Sequence, residues 1–183
     1  MNIYRSGRLK QIVYTLLLTY SLKTVGHTVN VEICQTDLFN PEVIALIAQL
    51  DAYQDVLYPV ESNHAVSIES MRLVRTFAYI AKLEGKAVGC AILFLPNTLF
   101  PEIKRVFVSP EHRGYGIATI LITTIINRSN VLDISKIFLE TGTYQPDAIQ
   151  LYRRLGFEVT SAFGDYQHDA SSIYMMKSLG EVS

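Results

Sequence analysis

The spacing of apolar residues divides this chain into short strands and amphipathic helices. Val29, Val31 and Ile33 alternate with polar neighbours and predict a first strand over Val29–Gln35. Asn40 then precedes Pro41, an N-cap followed by a proline at the first helical position, where the missing N–H is not needed. Val43, Leu46, Ile47 and Leu50 continue at helical spacing. The stretch Asp51–Ser67 carries Tyr53, Asp55, Tyr58, Glu61, Asn63 and His64 without a period. It reads either as the wall of a substrate site or as an ordinary loop joining two helices. A short second helix is expected over Ile68–Thr76. Phe77–Leu83 and Lys86–Leu95 form a predicted hairpin about Glu84-Gly85, apolar on both faces, as in a central sheet covered on each side.

Pro96 and Pro101 bracket a connection to Ile103–Val108, a β-branched and aromatic strand that Pro110 closes because it has no N–H to donate. Ala118, Leu121, Ile122 and Ile125 fall at i, i+3, i+4, i+7 and predict a long helix. Ile134–Thr141 is another strand, ending in Glu140-Thr141-Gly142. Gln145-Pro146-Asp147 opens a further helix with Ala148, Leu151, Tyr152 and Leu155 along one side and Gly156 just past its end. Phe157–Ala162 and Ser172–Lys177 are the closing strands, with Gly164-Asp165-Tyr166 between them. The order βααβββαβαββ contains no repeat, and 183 residues suffice for one domain with a sizeable core.

Composition narrows the class. With 49% apolar and 18% charged residues the chain is globular rather than disordered. A net charge of −1 and no basic run give no general attraction to nucleic acid. Cys34 and Cys90 each sit inside an apolar strand and are expected as reduced thiols. His27, His64, His112 and His168 are scattered, so no zinc or other metal site is expected. Residues 1–28 stand apart from the predicted domain, 29–183. Arg5, Arg8 and Lys10 precede an apolar run, Ile12–Leu18, in the outline of a signal peptide. Ser21-Leu22-Lys23-Thr24 is a poor cleavage site, and the run is shorter than the roughly 20 residues of a membrane span. An extra helix or strand packed on the domain or on a second subunit is the first reading, ahead of an unstructured leader and an export signal. No membrane association is expected, and the expected location is cytoplasmic.

The chemistry centres on Glu102–Ala118. A strand feeds Arg113-Gly114-Tyr115-Gly116-Ile117-Ala118, where two glycines allow a tight turn into a helix. Such a turn gathers free N–H groups and the positive end of a helix dipole, which suits phosphate, and Arg113 adds a cation. A plain strand-to-helix connection is the bland alternative. No Gly-Lys-Ser/Thr follows, which excludes a nucleotide P-loop, and a dinucleotide fingerprint lacks its third glycine at Thr119.

Two segments resemble one family. Val108-x-Pro110-x-x-Arg113-Gly114-x-Gly116-Ile117-Ala118 is similar to the acetyl-CoA signature of GNAT (GCN5-related) N-acetyltransferases. Gln145-x-x-Ala148-x-x-Leu151-Tyr152-x-x-x-Gly156-Phe157 resembles the family's later helix and strand. The resemblance covers Val29–Lys177. It implies an α/β (α+β) fold with a mixed, mostly antiparallel central sheet of six to seven strands and about four helices, splayed at the cofactor-binding strands. It also implies that the amides of Arg113, Gly114, Tyr115, Gly116, Ile117 and Ala118 hold the pyrophosphate of acetyl-CoA. The main chain of Val106, Phe107 and Val108 would pair with pantetheine, and an N–H near Phe107 or Val108 would polarise the thioester carbonyl. Gln145 stands where the family usually has Asn on pantetheine.

An alkylammonium is protonated at neutral pH, so a base must free the amine before it attacks a thioester. By the same resemblance Glu102 is that base, with Glu140 the competing carboxylate; a solvated strand-end charge or a partner of Lys104 is the plain alternative for Glu102. Tyr152 resembles the tyrosine that serves the leaving thiolate, and it also fits a core stripe. Tyr58, His64, Glu140, Tyr166 and Tyr174 could line an acceptor pocket. The implied activity is acetyl transfer to a primary amine of a small-molecule or amino-acid-like acceptor, by direct attack in a ternary complex. A peptide N-acetyltransferase, a non-catalytic acyl-CoA-binding module and a dinucleotide-binding domain are the alternatives. Homodimers are common for the fold.

Overall fold

Glu84 and Gly85 both take positive φ, 49° and 77°, the turn that the right-handed twist of a hairpin favours. The computed structural model, which describes residues 17–24, 27–58 and 66–180, builds its sheet outward from that hairpin. Its arms are Arg75–Leu83 and Lys86–Leu95. In chain order the strands are β1 (Leu17–Thr24), β2 (His27–Thr36), β3 (Arg75–Leu83), β4 (Lys86–Leu95), β5 (Glu102–Val108), β6 (Lys136–Gly142), β7 (Glu158–Thr160) and β8 (Ser172–Ser178). The helices are α1 (Pro41–Leu57), α2 (Ile68–Arg72), α3 (Ile117–Val131) and α4 (Pro146–Arg154). They form one eight-stranded sheet in the order β1-β2-β3-β4-β5-β6-β8-β7, antiparallel except for the parallel pair β5–β6. The crossover joining that pair is α3.

Two cores lie on opposite faces of the sheet. Ile117, Leu121, Ile122 and Ile125 of α3 pack with Tyr152 of α4 against Tyr79, Leu93 and Leu139. Val43, Leu46, Ile47 and Leu50 of α1 pack with Met71 of α2 against Ile80, Ile92 and Phe107. So β3 and β4 are apolar on both sides because helices cover both sides. A third cluster, Phe138, Phe163 and Tyr174, seals the outer end of β6 and β8.

Several boundaries differ from expectation. The sheet has eight strands rather than six or seven, since Leu17–Thr24, within the stretch set apart in the sequence, pairs with β2 from Leu17↔Cys34 to Thr24↔His27. α1 keeps its Asn40 cap, whose Oδ1 accepts from Glu42 N at 2.8 Å, but runs on through Asp51–Leu57. That part of the supposed loop is helix, and its outer face mixes apolar and polar residues, with Ala52, Asp55 and Val56 exposed. α2 stops at Arg72 rather than Thr76. Leu73 leads into Val74 and Thr76, and the Thr76 hydroxyl donates to Met71 O at 3.0 Å, so β-branched residues enter β3 instead. β7 keeps only three residues at the sheet edge. Cys34 and Cys90 are both free thiols. Among the described residues no helix is long and apolar enough to cross a membrane.

One glycine fixes the approach of β4 to β5. A Cβ on Gly89 would lie 2.8 Å from the carbonyl oxygen of Phe107, a backbone atom that cannot step aside. Gly89→Ala is therefore expected to destabilise the fold by about 1–3 kcal/mol, read as a fall in Tm, whereas Ala91→Gly on the same strand leaves the β4–β5 spacing intact.

Candidate active site

The site begins with a defect in β5. Cys90 pairs with Phe107 but Ile92 pairs with Lys104, so β5 carries an extra residue in the interval, a β-bulge. Arg105 sits there with φ 55°, a conformation that costs a non-glycine residue about 1–2 kcal/mol. The bulge changes which side chains share a face. In a regular strand Lys104 and Arg105 would point to opposite sides. Here Lys104 lies over the Phe94 ring, Arg105 pairs with Asp51 of α1, and Phe107 joins the α1 core, all on one face. Val106 and Val108 face α3.

Beyond the bulge the sheet opens. β5 and β6 pair at only two positions, Glu102↔Phe138 and Ile103↔Leu139, and then separate. The resulting cleft has a volume of about 620 Å³. Val106, Phe107 and Val108 line it on one side, and Glu140, Thr141 and Gly142 on the other.

At one end of the cleft lies the glycine turn. Gly114 and Gly116 have φ of 81° and 76°, and Gly116 is the N-cap of α3 with no side chain bonding into it. The Arg113 N–H bonds to Pro110 O at 3.3 Å, and the helix ladder begins with Ile120 N to Gly116 O. Among the described residues the amides from Gly114 to Thr119 therefore take no hydrogen-bond partner. A Cβ at either glycine would meet nothing within 4 Å, so the glycines serve the backbone angle and leave open space in front. Bare amides, the positive end of a 15-residue helix and an exposed Arg113 are what a diphosphate requires. Arg113 is steadied by its Nε donating to Val108 O at 3.2 Å and by the Tyr53 ring 5.2 Å away.

At the other end Glu102 is only 4% exposed. Its Oε1 accepts from the Tyr166 hydroxyl at 2.7 Å and from Lys104 Nζ at 2.8 Å, and Lys104 also donates to the Tyr166 oxygen at 2.6 Å. Burial raises the carboxyl above the usual 4.5, while the Lys104 charge, its hydrogen bond and that of Tyr166 pull back. Tyr166 is pushed far above the ordinary phenol range by burial and by Glu102, so it stays a donor. Tyr152 is buried on α4, and burial raises its phenol too, with the charge of Glu140 adding to the effect. Glu140 accepts from Ser172 Oγ at 2.7 Å. Tyr58, the residue after α1, packs its ring on Tyr144 and accepts from Tyr144 N at 3.0 Å, roofing the cleft at Gly142.

Most residues singled out in the sequence thus meet in one cleft: Tyr58, Glu102, Val106–Val108, Arg113, Gly114, Gly116–Ala118, Glu140, Gln145, Tyr152 and Tyr166. Gln145 lines it with its amide oxygen held by Thr141 Oγ1 at 3.2 Å. The Tyr115 side chain does not reach the cleft; flanked by two glycines, it turns outward to 40% exposure. Tyr174 also stays out, its hydroxyl spent on Gln167 O at 2.7 Å. His64 lies outside the described residues. Arg105 and Asp51 were not legible in the sequence, because their pairing depends on the bulge; the Glu102–Lys104 pairing weighed there as the plain alternative is observed, with Tyr166 as the unforeseen third member.

Strand order, bulge, splay and bare glycine turn together define a mixed α/β fold with an open cleft between two diverging strands. The comparisons agree. The family described as Acetyltransferase (GNAT) family matches residues 44–157. An IAA acetyltransferase of Azospirillum brasilense is 36% identical over 151 residues, 82% of this chain and 99% of that protein. A Klebsiella pneumoniae structure described as an acyl-CoA N-acyltransferase superposes with TM-score 0.68 at 34% identity, covering 81% of this chain and 97% of the other. A GNAT acetyltransferase of Elizabethkingia anophelis, solved with acetyl-CoA bound, has the same fold at 17% identity and TM-score 0.62, covering 81% and 98% of the two chains. This chain belongs to the GNAT family of acetyltransferases. It is an enzyme of the N-acetyltransferase class.

The Glu102 triad sets a pH dependence. If Glu102 must be ionised in the loaded enzyme, kcat falls as pH drops through its raised pKa, so the acid limb lies above 4.5. Lys104→Met removes the main influence holding the pKa down and should move that limb to higher pH; Tyr166→Phe should move it the same way by less. A pH–kcat profile at saturating substrates checks this, and an unmoved limb would sever Glu102 from the titration.

Proposed function

We propose that this enzyme moves the acetyl group of acetyl-CoA to a primary amine of a small molecule, by direct attack within a ternary complex. The reading rests on one observation: the cleft between β5 and β6 runs unbroken from the bare amides past Pro110 to the buried carboxylate of Glu102. The diphosphate of the donor would lie on the amides of Gly114–Ala118 beside Arg113. Its pantetheine arm would run along Val106–Val108 and past Gln145, which sets the thioester near the bulge. The acetyl-CoA held by the Elizabethkingia anophelis protein supports this choice of donor.

At that point the amine nitrogen bonds to the thioester carbonyl carbon and the C–S bond breaks. The proton lost by the amine goes to Glu102, directly or through water. Sulfur leaves as a thiolate beside Tyr152. A phenol near 10 giving its proton to a thiolate whose conjugate thiol is near 8.5 is uphill by roughly 2 kcal/mol, and burial of Tyr152 adds to that. Tyr152 therefore acts chiefly through a hydrogen bond that strengthens as charge gathers on sulfur. Neither cysteine suits a covalent acyl-enzyme. Burial pushes the Cys90 thiol up to about 12 and Cys34 is also raised, so neither is a thiolate at neutral pH.

Glu102→Gln is expected to lower kcat by about 100-fold or more while leaving the dissociation constant of acetyl-CoA within a few-fold. Tyr152→Phe should lower kcat by a smaller factor, on the order of tenfold to 100-fold. Thiol release from acetyl-CoA and calorimetric titration of the donor read the two quantities separately. Full acetylation by Glu102→Gln would remove the base assignment, and a protein stabilised by NAD but not by acetyl-CoA would remove the donor.

A further inference from the structure

Among the described residues, the charges shielded from water along the acceptor half of the cleft are matched except at Glu140. Glu102 is paired with Lys104, and Arg105 with Asp51. Asp55, further out on α1, is exposed and carried by water. Glu140 is half-buried and lines the cleft, yet among the described residues no lysine or arginine pairs with it; its hydrogen-bond partner is the neutral hydroxyl of Ser172.

The register explains the mismatch. Glu102 lies beside Phe138 in parallel pairing, so two residues further on Lys104 and Glu140 would be level neighbours. The strands part after Ile103↔Leu139, and the cleft opens between the two side chains. Lys104 turns back to Glu102 and Tyr166 instead. Glu140 is left among Tyr58, Tyr152, Tyr166 and Tyr174; burial is the first cause of the raised pKa of each phenol, and the Glu140 charge adds to it in every case.

A ligand filling this half of the cleft strips water from Glu140. An uncompensated carboxylate is costly to desolvate, whereas one meeting an ammonium among aromatic rings is favourable. The amine that reacts cannot supply that charge, because it must be neutral at the moment of attack. We infer that the acceptor carries a second cationic group, seated against Glu140, in addition to the amine that is acetylated. This deepens the reading of the cleft as an amine-acceptor site and rests on it. It also sets an acceptor carboxylate near Glu140 at a disadvantage, which turns the choice between small amines and amino acids toward diamine-like compounds.

Three acceptors of equal length, differing only at the far end, test it: a short α,ω-diamine, the matching amino alcohol and the matching ω-amino acid. Calorimetry on the protein saturated with CoA reads binding without turnover, so loss of acetyl transfer and loss of charge preference are separate results. The wild-type protein should bind the diamine about tenfold or more tightly than the amino alcohol, with the amino acid weakest. Glu140→Gln should shrink the diamine preference to about twofold, and kcat/KM for acetyl transfer should follow the same order. Equal affinities, no measurable binding of any of the three, or a preference for the amino acid in the wild-type protein overturns the inference.

Discussion

The whole site depends on two neighbouring strands that pair for two residues and then part. A parallel pair of this kind normally continues its ladder, since unpaired backbone groups inside a protein are costly. Here β5 leaves that ladder after Ile103, and a bulge on its other side rotates the next residues. The free edge of β5 from Val106 to Val108 is what an extended ligand can pair with, in the manner of an added strand. Gly89 permits the close approach of β4 that supports the bulge, and Arg105, held by Asp51 and by Val66 O, pins it to α1. The strain at Arg105 is maintained because its guanidinium is held by Asp51 and Val66 O and its carbonyl accepts from Cys90 Sγ.

The electrostatics follow from that geometry. By bringing Lys104 to the face of Glu102, the strand neutralises a carboxylate that would otherwise be buried alone. Tyr166, carried by the loop before β8, closes the triad and ties it to the aromatic cluster of Phe163 and Tyr174. The balance leaves Glu102 raised above the usual carboxylate value by burial while its donors pull it back, the kind of tuning that the proposed base would use. The cation that balances Glu102 is the one that Glu140 then lacks.

What the sequence made legible was punctuation. Pro110, Gly114 and Gly116 mark a turn whose angles only glycine adopts freely, and Asn40-Pro41 marks a helix start; all were placed correctly. Alternation exposed β2, and two apolar runs about Glu84-Gly85 exposed β3 and β4. The same alternation, Leu18, Tyr20 and Leu22 against Thr19 and Ser21, is present in the N-terminal stretch and marks β1, which the reading held as an extra helix or strand without fixing which. Asp51–Leu57 was illegible as helix because its apolar residues face outward or sideways, with Val56 85% exposed, and no buried stripe repeats. The bulge left no trace, since nothing in Lys104-Arg105-Val106 requires positive φ, and the pairing of Arg105 with Asp51 spans distant parts of the chain. Tyr115 shows the limit of transferring a motif residue by residue: among the described residues its amide takes no partner, while its side chain turns away from the cleft.

A crystal structure of the protein with acetyl-CoA tests the central claim most directly. The account predicts diphosphate oxygens within hydrogen-bond distance of the amides from Gly114 to Ala118 and a thioester lodged between β5 and β6 beside Phe107, its carbonyl within reach of the line between Glu102 and Glu140. A donor bound elsewhere, or β5 and β6 zipped together past Ile103 with those amides bonded to protein groups, would contradict it.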